Sequence, residues 1–129
     1  MKLLTTTLLV TLLTLTLACG YSHKTTPPSA GNMPAIQTLN PNTATHGQAG
    51  FMLTVNGSNF NNNAVVNWNS SAQTTQFVSG AQLTVAVPAS AIMNAGSVQV
   101  TVTNPGTPGG IYGGGTQAET SSPMTFTIN

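Results

Sequence analysis

Charge is almost missing from this chain. Its 129 residues include two lysines, no arginine, one glutamate and no aspartate. Soluble domains usually carry about a quarter charged residues, whereas here the fraction is 2%. Thr, Asn, Gly, Ser and Gln supply the polarity instead. The scarcity removes whole classes of function. Nucleic-acid binding sets Lys and Arg against phosphate, and past the first residues only Lys24 is on offer. An anionic membrane surface calls for a basic cluster. Glycoside hydrolysis of the usual kind takes a pair of carboxylates, and calcium sites take several. Glu119 is the only acid.

Cysteine is nearly absent too. Cys19 stands alone, so no disulfide can form within the chain. Its surroundings are informative. Met1 and Lys2 open a short positive region, and Leu3 to Leu17 follows as a Thr-studded apolar run. That run has the length of a signal-peptide core and falls short of the roughly twenty residues of a membrane span. Ala18 is small, as cleavage requires, and Cys19 comes next. The box Leu15-Thr16-Leu17-Ala18-Cys19 resembles a bacterial lipoprotein signal in its relaxed form. The commonest form has Leu where Thr16 stands and a small residue where Leu17 stands. The resemblance implies cleavage before Cys19 and a diacylglycerol on its thiol. Acylation of the new amine, by palmitate for instance, often accompanies it. The alternative is an ordinary secreted or cytosolic chain with a free thiol. Gly20, where Asp would suggest inner-membrane retention, leaves an outer-membrane or cell-surface place open.

The stretch Tyr21 to Met33, "YSHKTTPPSAGNM", has Pro, Ser, Thr and Gly and no apolar period. It reads as a disordered or extended tether, able to hold a domain on the order of 40 Å from the lipid. His23 and Lys24 read as solvated linker residues.

From Pro34 to Asn129 the pattern is β throughout, with short alternating runs between turn residues. The expected strands are "AIQTL" from Ala35, "FMLTVN" from Phe51, "AVVNW" ending at Trp68, "TTQFV" around Phe77, "LTVAV" from Leu83, "SVQVTV" from Ser97 and "MTFTI" from Met124. The two-residue period sets Leu53 with Val55, Val66 with Trp68, and Val98 with Val100 and Val102 on buried faces. "ASAIM" from Ala89 is expected as a single helical turn. About seven strands with one Trp mid-order predict an all-β, immunoglobulin-like Greek-key β-sandwich. In "GSNF", Gly57 is expected to take positive φ, Asn59 to bond neighbouring backbone, and Phe60 to cap the sandwich.

Several of these features together resemble the IPT/TIG domain family. Ile36 and Pro41 match its opening strand and "P". Gly47, the "G-x-N-F" of Gly57 to Phe60, and the "V-x-W" of Val66 to Trp68 follow in order. "LTVAVPASAI", "VQVTVTNPG" and "FTI" match its closing half. The resemblance covers nearly all of 34–129 and implies an immunoglobulin-like module. The family's transcription-factor members bind DNA, which the missing Lys and Arg argue against here. One departure stands out: Asn104 to Pro123 is much longer than the family's usual turn.

Chemistry is hard to find. His46 has no acid beside it in sequence, no Ser sits in a nucleophile elbow, and no cluster suggests a metal or other cofactor. The Gly-rich loop "NPGTPGGIYGGGTQAETSSP" lacks the "GK[ST]" of a phosphate loop, so its glycines read as flexibility. Ile111 and Tyr112 form an apolar pair within it. They are the candidate ligand-binding residues, because loops at the end of such a sandwich often bind and Tyr suits sugars or peptides. The alternatives are that the pair tucks back onto the sandwich or that the loop is disordered.

The expected organisation is a signal peptide (1–18), a lipidated Cys19 and tether (19–33), and an IPT/TIG-like domain (34–129). The expected function is a non-enzymatic envelope lipoprotein, anchored to the membrane by lipid, that binds or spaces protein, envelope polymer or glycan. The alternatives are a structural subunit assembling through strand edges, which lack charged guards, and an accessory module of an enzyme system.

Overall fold

The computed structural model describes residues 26–129. Cys19, His23, Lys24 and the apolar run before them lie outside the described residues. The chain forms β1 (Ala35–Asn40), β2 (Thr43–Ala44), β3 (Phe51–Ser58), β4 (Val65–Trp68), β5 (Ser71–Ala72), β6 (Thr75–Ser79), β7 (Gln82–Val87), β8 (Gly96–Asn104), β9 (Glu119–Thr120) and β10 (Met124–Ile128). Seven of these have four or more residues, as the sequence pattern predicts, and β2, β5 and β9 are two-residue pieces. A 3-10 turn, Ala89–Ile92, stands where a helical turn is expected.

The strands make two sheets, one ordered β1-β3-β7-β6 and the other β2-β10-β8-β4-β5, with β9 beside β8. This is the constant-type immunoglobulin arrangement of four strands against three, extended by the short pieces. The chain passes from β1 in the first sheet to β2 in the second through Asn40-Pro41, and β2 then runs parallel to β10.

The core follows from the two-residue period. Leu53, Val55, Leu83, Val85 and Val87 are buried on one sheet, and Val66, Trp68, Val98, Val100, Val102, Phe126 and Ile128 on the other. Phe126 sits at the centre. Its ring lies 5.7 Å from that of Phe51, stacked, and 5.0 Å from that of Trp68, tilted. These offset and tilted arrangements suit aromatic quadrupoles. The Phe51–Phe126 stack crosses between the sheets, in a core that no disulfide ties.

On the outer faces, neutral hydrogen bonds take the place that ion pairs often hold. Asn67 Nδ2 donates to Thr101 Oγ1 at 3.3 Å and to Thr103 Oγ1 at 3.0 Å. Gln82 Nε2 donates to Asn56 Oδ1, and Asn56 Nδ2 to Thr38 Oγ1. The edges are blunted without charge. Both β1 and β6 carry register shifts, at Ile36/Thr38 and Phe77/Ser79, and the other sheet ends in the two-residue β2 and β5. Bulges and short edge strands are recognised guards against edge pairing.

The "GSNF" stretch departs from expectation. Gly57 is not the positive-φ residue. It lies inside β3, where a Cβ would meet the Ala35 carbonyl and come within 2.6 Å of the Phe60 ring. Positive φ falls on Asn59, at 60°, a conformation that Asn tolerates better than most side chains. Asn59 also reaches far along the chain, donating from Nδ2 to the Met33 carbonyl at 3.2 Å. Phe60 is buried against Gly57, as the capping role requires. Gly57→Ala should therefore destabilise the domain by about 2–3 kcal/mol through overpacking, read as a lower urea midpoint. An unchanged midpoint would refute the close-approach account.

Candidate functional site

The register places the loops at two ends. Strand β8 runs nine residues, about 30 Å, from Gly96, opposite Ile128, to Asn104, opposite Glu119. The Asn104 end gathers the β3–β4 turn, the long 104–123 loop and the described N-terminal segment.

The long loop is ordered by hydrogen bonds. Thr107 and Thr116 face each other in a bridge, with main-chain bonds of 3.1 and 3.2 Å and an Oγ1–Oγ1 contact of 3.1 Å. Beyond them the chain closes in a β-turn in which the Gly113 N–H donates to the Gly110 carbonyl at 2.9 Å. Ile111 and Tyr112 are the two central residues of that turn. Their side chains point to solvent because the turn leaves them no neighbour, and they are 88% and 79% exposed.

The glycines serve close packing, which corrects their reading as flexibility. Gly113, Gly114 and Gly115 take φ of 87°, 88° and 93°. A Cβ on Gly109 would strike the Gly114 carbonyl, and one on Gly115 the Thr107 carbonyl. Side chains resist both demands.

The described end of the tether adds a contact that the sequence reading did not include. Residues 26–33 are extended, but from Thr26 onward they are fastened to the loop. Gly114 N–H donates to the Thr26 carbonyl at 3.0 Å, Ser29 N–H to the Gly115 carbonyl at 3.0 Å, and Gln117 N–H to the Ser29 carbonyl at 2.9 Å. The bridges Thr26 with Gly113 and Ser29 with Thr116 are parallel. This strap therefore starts beside the loop tip and runs back toward the sandwich.

Asn104 ties the assembly to the core. Its side chain is 2% exposed. Nδ2 donates to the Asn32 and Asn59 carbonyls, each at 2.7 Å, and Oδ1 accepts from the Asn61 N–H at 3.0 Å. One side chain thus joins the strap, the β3–β4 turn and the loop. Buried Ser121 closes the far side of the loop, exchanging hydrogen bonds with the main chain of Val102. A cavity of about 240 Å³ lies between strap and loop, lined by Asn32, Asn61, Thr107, Thr116 and Gln117. A wider apolar groove of about 560 Å³ lies at the opposite end, beside Phe51, Met52, Val87 and Pro88. Alternation and motif reading missed Asn104 and the strap. The "VTN" that ends β8 is the one local hint, an amide closing an apolar strand.

His46 is at the opposite end from Glu119. Its main-chain N–H and its Nδ1 both meet the Asn129 main-chain oxygen at 2.8 Å. Glu119 pairs with Asn104 in β9, so β8's full length separates the two. Among the described residues, no three His, Cys, Asp or Glu side chains gather as a metal site, and no helix is long and apolar enough to cross a membrane.

Asn104→Ala would orphan an N–H and two carbonyls. It should lower stability by at least about 3 kcal/mol, from three groups at about 1 kcal/mol or more each. Amide hydrogen exchange at Ser29, Gly114 and Gln117 should rise with it. Protected strap amides in that variant would show that the strap holds by other means.

A protein-family model for the IPT/TIG domain matches residues 34–128. No curated protein and no solved structure gives a significant match.

Proposed function

The chain belongs to the IPT/TIG domain family, a group of immunoglobulin-like binding or spacer modules, and from that premise we propose that it is a non-enzymatic, lipid-anchored module of the bacterial cell envelope. The anchor is Cys19, acylated after cleavage behind Ala18. The sandwich is the body, and the loop end is its contact surface. So neutral a surface suits uncharged envelope components, whether protein, polymer, glycan or the membrane interface itself.

The observation that carries this reading is the exposed Ile111–Tyr112 pair on a hydrogen-bonded loop. Apolar side chains cost free energy when left in water, and two adjacent ones held outward by a rigid turn are positioned for contact. A rigid turn also loses little entropy when it binds. The loop stands at the end where immunoglobulin variable domains carry their own β3–β4-type and β8–β10-type binding loops. This last support is an analogy of fold.

Two measurements test the proposal. Intact mass of the protein extracted from membranes should show a chain beginning at Cys19 with added acyl chains, and Cys19→Ala should lack them. An unmodified chain, or one cut elsewhere, removes the anchor. Tyr112→Ala should leave the thermal midpoint unchanged and lower cross-linking of the loop to envelope components by about tenfold, the loss typical of a central aromatic contact. Unchanged cross-linking would retire the tip as the contact.

A further inference from the structure

The direction of the strap says what lies opposite the loop tip. Thr26 is bridged to Gly113, one residue after Tyr112, and the strap runs parallel to the returning arm of the loop. The chain from Cys19 therefore joins the domain at the tip, beside Ile111 and Tyr112. Only six residues, 20–25, lie between Cys19 and Thr26. Seven Cα–Cα steps span at most about 25 Å, well under the separation that a free tether of residues 21–33 would permit.

We propose that the Ile111–Tyr112 turn rests in the interface of the same membrane that holds the lipid on Cys19. This inference rests on the lipid-anchor reading and names the partner of the tip as a lipid surface. The chemistry of the turn fits. Tyr favours membrane–water interfaces, with its ring on the apolar side and its hydroxyl in water. Ile111 is the most exposed of the large apolar side chains described. The stretch from Asn104 to Ala118 carries no ionisable group besides Tyr112, so no charge has to be dehydrated. The Gly110 carbonyl and Gly113 N–H satisfy each other. The remaining turn amides need water, which limits entry to headgroup depth.

Two side chains alone would hold a bilayer weakly. An anchor seven residues before Thr26 makes the contact intramolecular, and short linkers give high effective concentrations. The strap would then set orientation, with the loop end against the membrane and the Met93 end outward.

The test uses the full mature protein, acylated at Cys19 and reconstituted in phosphatidylcholine vesicles, which supply no net charge. Ile111→Cys and, separately, Met93→Cys receive a thiol-reactive spin label. Met93 is 65% exposed and follows the 3-10 turn at the other end of the sandwich. The label at 111 should become more accessible to oxygen and less accessible to a water-soluble relaxer on vesicles than in detergent-free solution with the acyl chains enzymatically removed. The label at 93 should show no shift. A label at 111 that stays aqueous on a vesicle-bound, acylated protein overturns the inference, keeps the anchor, and leaves the tip to a soluble partner. Two labels per chain, with no acyl mass and no vesicle binding, would overturn the anchor and this inference together, because a free Cys19 would also react.

Discussion

A single buried amide holds the loop end of the sandwich together. Asn104 offers two donors and one acceptor, and these meet two carbonyls and one N–H from two separate segments. An apolar residue of similar size would fill the space and leave three main-chain groups without partners. Asp would aim an acceptor at two carbonyl oxygens. The strap, the β3–β4 turn and the root of the long loop depend on this match, and the position of the loop tip depends on all three.

The neutrality of the chain shapes the rest. With almost no charge available, the sheets use Asn, Gln and Thr across strands, as in the Asn67–Thr101–Thr103 and Gln82–Asn56–Thr38 series. Such bonds do not weaken as salt rises, in contrast to exposed ion pairs. Edge protection falls to bulges and short strands for the same reason. The neutral surface also narrows the partners, since steering by long-range charge is unavailable. Contact must come from apolar side chains and neutral hydrogen bonds, and the turn at Ile111 and Tyr112 presents such a surface.

The strap joins architecture to the proposed role. Fastening residues 26–33 to the loop makes them part of the domain surface. It also sets the end of the sandwich from which an anchor at Cys19, as proposed, would approach. A spacer with a long free linker would leave the domain able to tumble, whereas under the proposed anchoring a strap bridged at the loop tip would favour one orientation. The apolar groove near Phe51 and Pro88 and the His46 contact with Asn129 lie at the opposite end, which that placement would turn outward.

The strands and the core were legible in the sequence because alternation is a local signal. Leu53 with Val55 and Val98 with Val102 must share a face whatever else the chain does. The Ile111–Tyr112 pair was legible as a candidate because its apolar character interrupts a run of glycines. The conformation of "GSNF" was not. Gly57 could serve either a positive φ or a close approach, and only the position of Ala35 across the sheet decides for the approach. The loop glycines were equally ambiguous until Thr107 and Thr116 were seen facing each other. Asn104 could not be recognised as a tie, because its partners, Asn32, Asn59 and Asn61, lie 43 to 72 residues away along the chain. The sequence by itself determined the class of fold, the neutral surface and the candidate anchor, since composition and two-residue periodicity are properties of neighbours. Only the tertiary structure decided that the N-terminal segment is a strap and that it enters at the loop tip. That outcome rests on hydrogen bonds between distant main-chain groups, which no side-chain pattern encodes.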